Sequence, residues 1–109
     1  LISKETSEKI RGMLVSVVDE GPYGRTRIPG YAIGGKTGTA QIANEGGGYS
    51  ETDFTHSLMG FFPADNPQYV MLVKLDKPTS APFAESTAGP IFHDIAEYIF
   101  AYFKIPPTR

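Results

Sequence analysis

The run Gly34-Gly35-Lys36-Thr37-Gly38-Thr39-Ala40-Gln41 decides the reading of this chain, because two unrelated architectures compete for it. Counted from Gly30, it fits G-x-x-x-x-G-K-T, the loop whose main-chain amides cradle phosphates. Such a loop needs a buried strand before its glycines and a helix after its Thr, since the phosphates rest on that helix's N-terminus. Before Gly30 stands Gly24-Arg25-Thr26-Arg27-Ile28-Pro29, which is charged, broken by proline and without an apolar run. After Thr37 a glycine stands where the first helical turn would begin, and Thr39, Ala40, Gln41 and Ile42 follow, then a glycine-rich loop. That is the composition of a strand running into a loop. Tyr69 to Asp76 imitates the Mg²⁺-holding strand of nucleotide hydrolases, but Lys77-Pro78 follows at once, as in an ordinary strand exit. The phosphate-loop reading fails on its context.

A strand carrying Lys-Thr-Gly-Thr offers a different chemistry. Side chains alternate along a strand, so Lys36 and Gly38 share one face while Thr37 and Thr39 take the other. A twist or bulge at Gly34, Gly35 or Gly38 brings the Lys and Thr heads towards one cleft. Lys36 and the Thr hydroxyls suit a carboxylate, and the Thr39 N–H suits a developing oxyanion. Gly38 leaves room for a peptide backbone, which a free edge would bind by strand addition. Taken alone, these four residues favour a plain surface hairpin with a solvated Lys.

The rest of the chain supplies an α+β frame for that strand. Ser3 caps a first helix in which Ile10, Met13, Leu14, Val17 and Val18 recur at helical spacing, and Gly21-Pro22 stops it. Strands are expected at about Ile33 to Ala43, Thr55 to Phe62 and Gln68 to Leu75, the last two joined as an antiparallel hairpin by Asp65-Asn66-Pro67. Asn44 to Asp53, with Gly46-Gly47-Gly48, reads as a flexible loop, and Lys77 to Thr87 as loop throughout. A second helix opens with Pro90 near its first turn and carries Ile91, Ile95, Ile99, Tyr102 and Phe103 on one face, up to Pro106-Pro107. The 109 residues allow one domain at most, and a net charge of −2 gives no footprint for nucleic acid. Zero cysteines exclude a disulfide or a thiolate metal site and suit an extracytoplasmic life. No stretch approaches the roughly 20 apolar residues that span a bilayer.

Smaller constellations carry less. His93 and Glu97 lie one helical turn apart, but a solvated helix face explains them better than a metal. Asn44, Glu45, Glu51 and Asp53 do not have the spacing of a calcium loop. Tyr98, Phe100, Tyr102 and Phe103 read as core or interface, and Arg25 and Arg27 as solvated surface charge.

Taken with its surroundings, the Lys-Thr-Gly strand points to a family. Pro29-Gly30-Tyr31-Ala32-Ile33-Gly34-Gly35-Lys36-Thr37-Gly38-Thr39-Ala40-Gln41 closely resembles the corresponding strand of class B penicillin-binding proteins, the D,D-transpeptidases that cross-link peptidoglycan. Met13 to Gly21 is similar to the family's preceding helix and its glycine stop. His56 to Pro67 resembles the next strand and its Pro-Ala-x-x-Pro turn, and Ala88-Gly89-Pro90-Ile91-Phe92 the start of its C-terminal helix. Nearly the whole chain is covered, in the family's order.

The departures are as informative. No Ser is followed three positions later by Lys, and no Ser-x-Asn occurs, so two of the family's three motifs are absent. Both lie N-terminal to Lys-Thr-Gly in the family. Residues 1–109 are therefore expected to be the C-terminal segment of a transpeptidase domain, and Leu1 in place of an initiator Met fits excision from something longer. Pro22-Tyr23 replaces a frequent Thr-Gly, in the loop before the strand and away from the chemistry. The resemblance implies a penicillin-binding fold with helix, three-stranded antiparallel sheet and helix. It implies a D-Ala-D-Ala stem peptide as substrate and β-lactams as inhibitors, an acyl-serine intermediate whose nucleophile is not in this chain, and no cofactor or metal. By the same resemblance Lys36, Thr37, Gly38 and Thr39 bind substrate, with Lys36 and Thr39 catalytic. A membrane anchor is expected in a missing N-terminal part, with the site outside the cytoplasmic membrane. The partner is expected to be a polypeptide carrying the rest of the domain, or a second copy. A serine β-lactamase segment is the nearest rival, and a non-catalytic interaction module the alternative of another class.

Overall fold

The computed structural model describes residues Leu1–Arg109. Its order is α1 (Lys4–Glu20), β1 (Gly34–Ala43), β2 (Tyr49–Phe62), β3 (Tyr69–Asp76) and α2 (Ala84–Tyr102). The strands form one antiparallel sheet in the order β1-β2-β3, so β1 and β3 are both edges. This is the expected helix, three-stranded sheet and helix.

Local chemistry sets the boundaries of α1. The Ser3 hydroxyl accepts the Thr6 N–H at 3.0 Å, and the Gly21 N–H closes the last turn on Val17 O at 3.1 Å. Arg27 is exposed, as expected, and it also reaches back to this helix end. Its Nε donates to Val18 O at 2.8 Å and its Nη2 to Gly21 O at 2.6 Å, satisfying carbonyls that the helix leaves unpaired. Only Val18 of the predicted stripe is fully buried, while Ile10 and Met13 lie exposed.

Two loop expectations are corrected. The β1–β2 connection is only Asn44–Gly48, because Asn44 N donates to Gly48 O and Gly47 and Gly48 adopt φ of 99° and 72°, where glycine is at ease. Tyr49 to Asp53, expected as loop, already belongs to β2. Likewise α2 starts at Ala84, so Ala84 to Thr87 is helix and Pro90 lies inside it.

The face of α2 is also corrected. Ala84, Ala88, Phe92, Ala96 and Phe100, each four residues apart, turn inward, whereas Ile91, Ile95, Tyr98 and Tyr102 are exposed. Small residues on the inner face let the helix lie close to the sheet, and the aromatic ones fill what remains. Phe92 packs edge-on to Phe62 at 5.6 Å between centroids, and Phe100 to Phe62 at 5.3 Å. Leu58, Phe62 and Val73 meet this face from the sheet, joined by Val18, Tyr23, Ile28 and Ile33. Burying a side chain such as Phe92 contributes about 1.5–3 kcal/mol. Gly60 makes the close approach possible, since a Cβ there would lie 2.6 Å from Phe92 Cζ.

On the opposite face of the sheet Ile10 and Leu14 of α1 stand beside Phe61 and Val70, and the rest of that face is open. Lys36 of β1 stands opposite Met59 of β2, which stands opposite Leu72 of β3, so the three form one row across the sheet. Met59, Val70 and Leu72 on this face are exposed apolar side chains.

Candidate functional site

The sheet register and the strand period place the Lys-Thr-Gly residues. Lys36 and Gly38 lie on the open face and Thr37 and Thr39 on the α2 face, as alternation requires. Lys36 is exposed and belongs to no ion pair of the chain, so its charge is available to an anion. Its Nζ bends over the strand to donate to Thr37 O at 3.0 Å. The ammonium therefore sits at the outer rim of β1.

Thr37 is half-buried and fixed by a residue that the sequence places elsewhere. Tyr23 OH lies 2.8 Å from Thr37 Oγ1 and accepts the Thr37 N–H at 3.2 Å. Pro22-Tyr23 was expected to lie away from the chemistry; the structure puts the Tyr23 hydroxyl on the central Thr of the motif. The signal available was a buried-type aromatic in a Gly/Pro loop, with nothing to say what it would touch.

The Thr37 N–H points away from β2, and outward amides recur every second residue in an antiparallel edge strand. The Thr39 N–H therefore faces the same open rim, two residues along. Thr39 itself is exposed and stands opposite the buried His56. Gly38 is less vacant than expected, because a Cβ there would come within 2.8 Å of Ser57 Oγ on the neighbouring strand. Ser57 thus adds a hydroxyl to the Lys36 face that the motif alone does not reveal.

The largest concavity, about 510 Å³, lies elsewhere. Asp53, Phe54 and His56 of β2 line it together with Lys77–Pro82, and it includes none of Lys36, Thr37 or Thr39. The Lys-Thr-Gly rim is an open ledge, not a pocket. The other sequence candidates resolve into structure. His93 Nδ1 lies 2.9 Å from Arg27 O, and His56 Nδ1 lies 2.7 Å from Thr87 Oγ1.

In chemical terms the rim offers a cation at Lys36, a hydroxyl at Thr37 and a main-chain donor at Thr39, spaced along one strand edge. That set fits an extended ligand carrying a carboxylate near a polarisable carbonyl.

Known proteins share the fold that carries this rim. The model of the penicillin binding protein transpeptidase domain matches residues 1–97. The chain is 41% identical over 109 residues to a peptidoglycan D,D-transpeptidase FtsI homolog of Mesostigma viride, covering 99% of this chain and 18% of that protein. It is 44% identical over 110 residues to stage V sporulation protein D of Bacillus subtilis, covering 100% of this chain and 17% of the relative. Among solved structures, the apo transpeptidase domain of Burkholderia pseudomallei penicillin-binding protein 3 superposes with a TM-score of 0.86 at 34% identity, over 99% of this chain and 33% of that one. Penicillin-binding protein 3 of Mycobacterium tuberculosis, in complex with ampicillin, gives a TM-score of 0.84 at 33% identity, over 98% of this chain and 26% of that one. The chain thus spans less than a fifth of the two curated relatives' length.

Proposed function

The chain belongs to the penicillin-binding protein transpeptidase family, and from that premise we propose that it is the Lys-Thr-Gly-bearing C-terminal segment of a D,D-transpeptidase domain. Lys36 and the Thr37 hydroxyl hold the terminal carboxylate of a D-Ala-D-Ala stem peptide, Gly38 lies beneath its backbone, and the Thr39 N–H receives the oxyanion. A serine outside residues 1–109 attacks the penultimate carbonyl, releases the terminal D-Ala and passes the acyl group to an amine. β-Lactams enter the same site through the same carboxylate. The observation that carries the reading is the outer rim of β1, where the unpaired Lys36 charge, the fixed Thr37 and the outward Thr39 amide share one edge.

The missing wall of the site has a natural source. No serine in the chain is followed by Lys at the third position, so the nucleophile and its base come from another part of the domain. The open sheet face, with Met59, Val70 and Leu72 exposed, and the unpaired edge of β3 are the surfaces that part would cover. It is supplied by the same longer polypeptide, by a cleaved companion chain or, failing both, by a second copy. No helix of the chain is long and apolar enough to cross a membrane; the anchor belongs to the longer polypeptide, which holds the site outside the cytoplasmic membrane.

The absent nucleophile also fits a non-catalytic docking module. One experiment separates the two. The full-length polypeptide is incubated with penicillin and the adduct mapped by peptide mass. An acyl-serine outside residues 1–109 supports the transpeptidase, whereas an unmodified protein favours the module.

A further inference from the structure

We propose that Tyr23 is a positioning residue that fixes the polarity of the Thr37 hydroxyl, making it a hydrogen-bond donor to the substrate carboxylate. The proposal rests on the assignment of Thr37 to carboxylate binding and adds a residue that the Lys-Thr-Gly motif does not contain.

The argument is a count of protons. The Tyr23 ring is 4% exposed and packs in the core, so its hydroxyl must find partners within the protein. It has two contacts, both on Thr37: the main-chain N at 3.2 Å and Oγ1 at 2.8 Å. A main-chain N–H only donates, so the phenol oxygen accepts there. The phenol's single proton is then left for Thr37 Oγ1, its one acceptor in reach. The reverse arrangement, with Thr37 donating to Tyr23, would leave a buried phenol proton unpaired, which costs more than any alternative hydroxyl rotamer. Thr37 Oγ1 is therefore an acceptor towards the core, and its own proton is free to point outward.

Two consequences follow for a ligand on the rim. A hydroxyl whose oxygen already accepts is a stronger donor, because successive hydrogen bonds polarise one another. The Lys36 ammonium rests on Thr37 O at 3.0 Å, so the cation and the hydroxyl are offered along the same stretch of rim. Tyr23 also occupies the outward Thr37 amide, so main-chain pairing of an added strand starts at Thr39. The phenol thus sets both the donor and the register.

The test uses the full-length polypeptide and second-order acylation rates with fluorescently labelled penicillin V and with its methyl ester, which lacks the negative carboxylate. Tyr23→Phe keeps the buried ring. It is expected to slow acylation by the free acid by about three- to tenfold, the weight of one hydrogen bond, and to leave the ester rate unchanged. Thr37→Val should slow the free acid at least as much, and Tyr23→Phe should add nothing in that background but retain its effect beside Thr37→Ser. Tyr23→Phe acylating as fast as wild type while Thr37→Val is slow overturns the role of Tyr23 and leaves the carboxylate site standing. Equal slowing of acid and ester by Tyr23→Phe, with a lowered melting temperature, overturns it as mere packing. If Lys36→Ala and Thr37→Val both acylate normally, the carboxylate assignment itself falls.

Discussion

His56 Nδ1 lies 2.7 Å from Thr87 Oγ1, and both side chains are buried, so one hydrogen bond joins the middle of β2 to the first turn of α2. Thr87 is thus held on the sheet while the helix start itself has no side-chain cap, Phe83 being its N-cap. Thr87→Val keeps the shape but strands the imidazole nitrogen. It is expected to cost about 1–3 kcal/mol, the penalty for a buried polar group left unpaired. The melting temperature of the full-length protein checks this, and an unchanged value would show that the bond is not structural.

Lys36 lies outside the core, so its replacement should separate activity from stability. Lys36→Ala in the full-length polypeptide should leave the melting temperature unchanged and slow acylation by penicillin by roughly one to two decades. That is the weight of a charge-assisted contact of about 1.5–3 kcal/mol. A normal acylation rate would remove Lys36 from the site.

The 109-residue chain on its own should form no covalent adduct with penicillin. Covalent catalysis needs an activated nucleophile, and the chain's serines lack the paired Lys. Intact mass before and after incubation is the measurement; a stoichiometric gain of one penicillin contradicts the assignment.

The same isolated chain should not be a stable monomer. Its β3 edge is unpaired and Met59, Val70 and Leu72 line an exposed face, which together template association. Size-exclusion chromatography with light scattering decides, and a soluble monomer with cooperative unfolding would refute the expectation.

Asp19 gives the protein a pH dependence of known sign. A two-pronged hydrogen bond from Arg109, at 2.6 and 2.8 Å, holds its carboxyl below the ordinary carboxylate value against a smaller opposing effect of burial; attraction to Arg109 and Arg27 adds to the lowering. A depressed folded value stabilises the fold above the unfolded carboxylate pKa, and that contribution is lost as pH falls through the folded value. Both side chains are partly solvated, so the effect is small and weakens with salt. Melting curves at descending pH should show an acid-side loss that Asp19→Asn makes slightly shallower. An identical slope in the variant would exclude the pair as a contributor.

Much of this was legible because it is local. Ser3 and Gly21 bound α1 through contacts within one turn, and the family is recognisable from adjacent residues around Lys36 to Thr39. The inner face of α2 was misread because size and hydrophobicity point to Ile91 and Ile95, whereas close approach to the sheet selects Ala88 and Ala96. The early helix start at Ala84 was hidden by Pro90, which reads as a first-turn residue but sits well inside. Tyr23 and Arg27 were missed for one reason: each acts through a contact across the fold, and no pattern in neighbouring residues records such a partner.

The unequal lengths of the strands divide the ledge in two. β3 ends at Asp76 opposite Thr55, which pairs in turn with Ala40, so Gln41–Ala43 and Tyr49–Phe54 continue as a two-stranded ribbon with no third strand beside it. A lone pair of strands is marginal in water and opens at a fraction of the global free energy. Lys36, Thr37 and Thr39 all stand on three-stranded ground, and Thr39 lies one residue short of its last row at Ala40, beyond which local opening is expected. A ligand seated there would quiet the backbone beyond it, and its affinity would carry the entropy of that ordering.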